Sequence, residues 1–138
     1  MEVSFRYDPQ KNIYFKTVSG KVTYNEAVNS LIPEGVFDLS KNIYVIEDST
    51  KAVVAFPLNK LYGFVNHFMQ NFPKKILVFH ALITDSKIIT AFAFIIKRIF
   101  PDNRYRLAIF STHKKALEWT LKKQKVYGNT PPKAKPLL

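Results

Sequence analysis

The sequence has 138 residues, 47% of them hydrophobic, which is enough for one domain with a substantial buried core. It contains no cysteine, which excludes disulfides, thiolate metal sites and a cysteine nucleophile, and we expect a reducing, cytoplasmic location. The formal net charge of +11 favours association with polyanions, although a basic solvated surface is the simpler explanation.

The chain begins with two alternating segments, residues 3–7 and 13–18, separated by a polar Asp-Pro turn. This pattern predicts an antiparallel β-hairpin. Thr23 and Glu26 then form a T-x-x-E capping box, which predicts a helix that ends at Pro33.

Short apolar runs predict three buried parallel strands at residues 43–46, 76–79 and 107–110. Residues 52–55 are compatible with either an edge strand or a loop. Amphipathic patterns predict helices at residues 57–71, at residues 87–100 and after the last strand, where Ser111 or Thr112 is the expected N-cap.

The resulting order, β-β-α-β-α-β-α-β-α, predicts an α/β fold with an open mixed sheet. The sheet should be mostly parallel, with an N-terminal antiparallel hairpin and helices packed on it. We expect a single domain over residues 1–125, followed by a Pro-rich basic tail over residues 126–138 that remains extended. Every apolar stretch is too short to span a bilayer, so no transmembrane segment is expected.

Three stretches resemble STAS-type domains of the SpoIIAA-like group, which includes anti-sigma-factor antagonists and uncharacterised relatives. They are the segment from Val18 into the first helix, the strand at residues 42–48 that ends in an acidic residue, and the closing strand and helix at residues 105–119. The resemblance implies a SpoIIAA-like fold and a non-enzymatic, protein-binding regulatory module.

Some STAS domains are switched by phosphorylation of a Ser or Thr that follows a strand. The matching positions are Asp48, Ser49 and Thr50, which form a candidate ligand or phospho-switch site. Lys51 stands where the family usually has glycine. We therefore favour a structural role, in which the two hydroxyls satisfy backbone groups in a turn.

No motif in the sequence indicates an enzyme. The phosphate-binding glycine loops and the G-x-S-x-G elbow are absent. The three histidines lie in separate elements, so neither a metal site nor a cofactor is expected. Glu47 and Asp48 should point to opposite faces of a strand and make a poor acid/base pair. Asp48 nevertheless ends a predicted strand, which is where open α/β sheets bind ligands.

The helix at residues 87–100 carries two apolar stripes, which is more than one sheet face usually covers. Either it is buried between the sheet and a neighbouring helix, or one stripe is an interaction surface. The candidate surface comprises Ile89, Phe94, Lys97, Arg98 and Phe100. We expect a protein partner or a homodimer there. The alternative is nucleic acid or anionic lipid bound through the basic surface, with an affinity that falls steeply with salt.

Overall fold

The computed structural model describes residues 1–30, 37–99 and 104–130. The strands are β1 (Glu2–Asp8), β2 (Ile13–Val22), β3 (Ile43–Val54), β4 (Val78–Ile83) and β5 (Tyr105–Phe110). The helices are α1 (Tyr24–Ser30), α2 (Leu61–Met69), α3 (Lys87–Ile99) and α4 (His113–Tyr127), and a 3-10 turn at Leu58–Lys60 leads into α2. None of the helices in this described part of the chain is both long and apolar enough to span a bilayer.

The strands form a sheet in the order β1-β2-β3-β4-β5, in which β1 is antiparallel to β2 and the other pairs are parallel. This confirms the predicted open mixed sheet with its N-terminal hairpin. The connections from β2 to β3, from β3 to β4 and from β4 to β5 all move to the next strand in the same direction across the sheet. When such connections share one handedness, their helices lie on the same face of the sheet. Accordingly, α1, α2 and α3 cover one face of the sheet, and α4 covers the other.

The helix starts follow the predicted capping residues. The Thr23 hydroxyl oxygen accepts from the Glu26 backbone N–H at 3.3 Å, and Glu26 Oε1 accepts from the Thr23 backbone N–H at 3.3 Å. Ser86 accepts from the Ile89 N–H at the start of α3, and Thr112 accepts from the Lys115 N–H at the start of α4. These caps depend on neighbouring residues alone, which is why the sequence predicts them well.

The strand β3 is longer than predicted and extends to Val54. It continues to pair with β2 as far as Val22, although its pairing with β4 ends at Ile83. The expected turn around Asp48, Ser49 and Thr50 is therefore wrong, because all three residues lie inside β3. In the segment at residues 52–55, which the sequence left open between strand and loop, residues 52–54 belong to β3.

The helix α4 ends at Tyr127, so the domain boundary expected after residue 125 falls inside it. Gly128 follows with a φ of 70°, a conformation that favours glycine. The Gly128 carbonyl accepts a hydrogen bond from the Tyr44 hydroxyl at 2.5 Å, and the Asn129 carbonyl accepts from the Asn42 N–H at 2.8 Å. These contacts tie the end of α4 to β3, whereas residues 131–138 lie outside the described residues.

Candidate functional site

A cavity of about 150 Å³ lies between the sheet and the layer formed by α1, α2 and α3. Most of its lining is apolar and comes from Val45, Val78 and Leu107 on the strands and from Val65, Ile89 and Ala93 on the helices. Five half-buried aromatic residues also line it, namely Phe5, Phe37, Phe56, Phe64 and Phe92. An apolar cavity of this size can hold a benzene-sized molecule.

A group of polar side chains interrupts this apolar lining. We call it the polar cluster, and it consists of Lys16, Glu47, Ser49, His80 and Tyr105. Lys16 pairs with Glu47 in the β2–β3 register, and His80 pairs with Val45, two residues before Glu47. Side chains two residues apart on a strand share a face, so the register brings these groups together on the cavity side of the sheet.

Glu47 is the centre of the polar cluster. Its Oε1 lies 3.5 Å from Lys16 Nζ and 3.2 Å from His80 Nε2, and its Oε2 accepts from the Ser49 hydroxyl. The Tyr105 hydroxyl lies 2.6 Å from His80 Nδ1. Because an ionised carboxylate can only accept, His80 Nε2 is the donor to Glu47.

Burial and charge act in opposite directions on Glu47. Burial by itself would raise the pKa of this carboxyl group, but the charge of Lys16 and the hydrogen bonds from His80 and Ser49 outweigh it and hold the pKa well below its usual range. Burial and the neighbouring Glu47 charge raise the pKa of Tyr105 above its usual range. The cluster therefore contains one buried ion pair, Lys16 with Glu47, and a neutral phenol.

The polar cluster does not form a set of metal ligands within the described residues. Within residues 1–30, 37–99 and 104–130, every buried side-chain nitrogen or oxygen has a hydrogen-bond partner. No group of His, Asp and Glu in those ranges could hold a metal ion. The polar cluster presents one wall of polar atoms to an otherwise apolar space.

The candidate site at Asp48, Ser49 and Thr50 is divided between the two faces of the sheet. Ser49 is only 3% exposed and belongs to the polar cluster. Asp48 faces α4, where its Oδ2 lies 2.7 Å from His113 Nε2 and its Oδ1 accepts from the Thr50 hydroxyl at 2.7 Å. Burial tends to raise the pKa of Asp48, but hydrogen bonds from Thr50 and His113 lower it overall.

The candidate interaction surface on α3 is also divided. Ile89 is 7% exposed and lines the cavity, so it belongs to the core and not to an outer surface. Phe94 is 58% exposed, and Lys97 and Arg98 are exposed beside it. Ile88, at 63% exposure, lies almost two turns earlier, about 120° around the helix axis from Phe94. We call Ile88, Phe94, Lys97 and Arg98 the outer face of α3, whereas Phe100 lies outside the described residues.

Sequence reasoning did not identify the polar cluster, although a signal for it is present. Polar residues occupy inward positions of otherwise apolar alternations: Lys16 lies between Tyr14 and Val18, and His80 lies between Val78 and Leu82. The alternation in β2 predicted only one buried side. In the structure Ile13 and Tyr14 are both buried and belong to the cores on opposite faces of the sheet, so both faces of β2 are covered at its start.

The comparisons with known proteins identify the fold. No protein-family model and no curated protein sequence matches this chain. The structure is similar to the crystal structure of an uncharacterised protein of the DUF3478 family from Shewanella loihica PV-4, which has a SpoIIAA-like fold. The TM-score is 0.58 over 86% of this chain and 92% of that chain, at 12% sequence identity. The resemblance inferred from the sequence is thus confirmed at the level of the fold.

Proposed function

We propose that this chain, a domain with the SpoIIAA-like fold, is a non-enzymatic binding module that holds a small apolar molecule in its cavity. The observation that carries the proposal is a cavity of about 150 Å³ inside a single domain. Protein cores are normally close-packed. The cavity is partly open to solvent, so a bound apolar molecule would displace water from it and bury its apolar walls.

The aromatic residues around the cavity support the proposal. The Phe56 ring lies 6.1 Å from the Phe64 ring and 5.8 Å from the Phe92 ring, measured between centroids. All three side chains are half-buried and line the cavity. They therefore connect the interior to the surface through side chains that can move without disturbing the sheet. The absence of cysteine suits a cytoplasmic location for this module.

The first test fills the cavity. Ala93 is 2% exposed and lines the cavity from α3. We expect Ala93→Leu to weaken toluene binding by about tenfold or more, because the added carbon atoms occupy the space that the ligand needs. Isothermal titration calorimetry of the full chain measures the affinity directly.

The matched control is Ala91→Leu, which adds the same side chain at an exposed position of the same helix. This variant should bind toluene as the parent does. If the parent shows no toluene binding, or if Ala93→Leu binds as well as Ala91→Leu, the proposed function is wrong.

A second candidate function is protein binding through the outer face of α3. Ile88 and Phe94 are both more than half exposed, and Lys97 and Arg98 lie beside Phe94. Covering each large apolar side chain is worth about 1.5–3 kcal/mol. A second copy of the chain is the partner we propose, because a two-fold axis covers the same patch on both subunits.

Sedimentation velocity tests this second function. The net charge of +11 on each chain opposes dimerisation, and salt screens that repulsion. We expect the dimer to tighten as salt rises and Phe94→Lys to remain monomeric. Leu121→Lys, which alters an exposed residue of α4, is the control and should dimerise like the parent. A parent that is monomeric at every salt concentration would contradict this proposal. Binding to DNA or anionic vesicles that weakens steeply with salt would favour the basic surface instead.

A further inference from the structure

The ammonium group of Lys16 has donor capacity that the protein does not use fully. The side chain is 8% exposed and lines the cavity. Within the described ranges, Glu47 is the only acidic group paired with it, at 3.5 Å, and the Phe5 ring centroid lies 5.5 Å from Nζ. An ammonium carries three N–H donors and no acceptor. One long contact therefore leaves donors available to a molecule in the cavity.

The other hydrogen-bond donors of the polar cluster are engaged within it. Glu47 Oε1 is shared between Lys16 and His80, and Oε2 accepts from Ser49. Both ring nitrogens of His80 are engaged, one by Glu47 and the other by Tyr105. The spare donor capacity at this wall of the cavity thus lies with the Lys16 ammonium.

The charges of the cluster also restrict the ligand. The charges of Lys16 and Glu47 cancel. An anion placed against Lys16 would meet the buried carboxylate of Glu47, and a cation would meet Lys16 itself. Repulsion between like charges is strong where water is excluded, so a neutral group fits this position better than either ion.

We propose that the cavity selects neutral apolar molecules with a single hydrogen-bond acceptor, such as a small aromatic ketone or ester, and binds that acceptor through Lys16 Nζ. This inference rests on the proposed function, because it names the class of ligand for the same cavity. The volume of about 150 Å³ limits the ligand to about one ring with a short polar substituent. The Phe5 ring, next to Lys16, provides an apolar wall beside the acceptor.

The experiment compares four compounds of similar shape with the full chain at neutral pH. Acetophenone is neutral with one acceptor, ethylbenzene lacks the acceptor, benzoate is an anion and benzylammonium is a cation. We expect acetophenone to bind at least about tenfold more tightly than either ion. The carbonyl stretch of bound acetophenone should also shift to lower frequency than in cyclohexane, because the carbonyl accepts a hydrogen bond.

A double variant, Lys16→Met with Glu47→Gln, removes the donor without leaving an unpaired buried charge. The preference is the dissociation constant of ethylbenzene divided by that of acetophenone. We expect it to fall by about tenfold or more in this variant. Ser49→Ala is the matched control, because the Ser49 hydroxyl already donates to Glu47, and it should change the preference by less than about twofold.

Different results separate the two proposals. Benzoate that binds as tightly as acetophenone would overturn the ligand class, and so would a carbonyl frequency equal to that in cyclohexane. If ethylbenzene still binds when one of these results is obtained, the proposed binding of a small apolar molecule remains supported. If neither ethylbenzene nor acetophenone binds, both proposals fail. The infrared measurement uses the parent protein, so it decides the question even if the double variant does not fold.

Discussion

Replacing Glu47 with glutamine is expected to lower the free energy of unfolding by about 3–5 kcal/mol, the usual cost of breaking a buried ion pair. Lys16 is 8% exposed, and Glu47 is its acidic partner at 3.5 Å. Without the carboxylate, the ammonium is left uncompensated in a mostly apolar cavity. Urea denaturation of the parent and the variant measures the difference.

The same variant tests the direction of the Glu47 pKa shift. In the folded protein this pKa lies below the unfolded value of about 4.3. The ionised carboxylate therefore stabilises the fold above about pH 4.3, and this contribution is lost as the pH falls towards the folded-state pKa. The difference in stability between the parent and Glu47→Gln should accordingly narrow in acid.

Two comparisons make this prediction specific. Asp48→Asn changes the neighbouring acid on the opposite face, whose partner His113 is 66% exposed, and should cost less than about 1 kcal/mol. Adding Lys16→Met to Glu47→Gln removes both charges and should recover most of the loss. If Glu47→Gln costs no more than Asp48→Asn, the buried ion pair does not stabilise the fold as described.

Phe79→Ala is expected to cost about 3–5 kcal/mol through the cavity that it leaves under α4. Phe79 is 0% exposed. Its ring stacks on Tyr44 with centroids 5.0 Å apart, and it meets the edge of Trp119 at 6.2 Å. Trp119 is the only tryptophan in the sequence, so its fluorescence emission should shift to longer wavelength in the folded variant.

Phe94→Ala is the control for this second prediction, because it removes the same ring from a side chain that is 58% exposed. Its cost should stay within about 0.5 kcal/mol. If Phe79→Ala and Phe94→Ala lower the free energy of unfolding by the same amount, α4 does not depend on Phe79 for its packing against the sheet.

The local elements were predictable because their causes lie within a few residues. The capping box of Thr23 and Glu26, the N-cap Thr112 and the apolar strand at residues 107–110 all depend on near neighbours, and the structure contains each of them. Trp119 packs against the sheet through Phe79 and Phe110.

Expectations about burial were less reliable, because burial depends on which element lies opposite. Leu121 is 43% exposed, because the helix turns it about 140° away from Ala116 and about 100° away from Thr120, the two buried residues of α4. Ile89 was assigned to an outer surface, but it faces the cavity together with Ala93 and Ile96. The helical spacing of apolar residues identifies an apolar stripe along a helix. Whether that stripe is buried depends on which element of the fold packs against it.

The sequence by itself determined the order of the strands and helices, the helix caps and the α/β class, because periodicity and capping are properties of short segments. The tertiary structure alone decided the site. Lys16, Glu47 and His80 lie on three different strands, and they meet because the parallel register of β2, β3 and β4 turns all three to one face. No short segment encodes that register, since it is set by pairing and packing across the whole sheet.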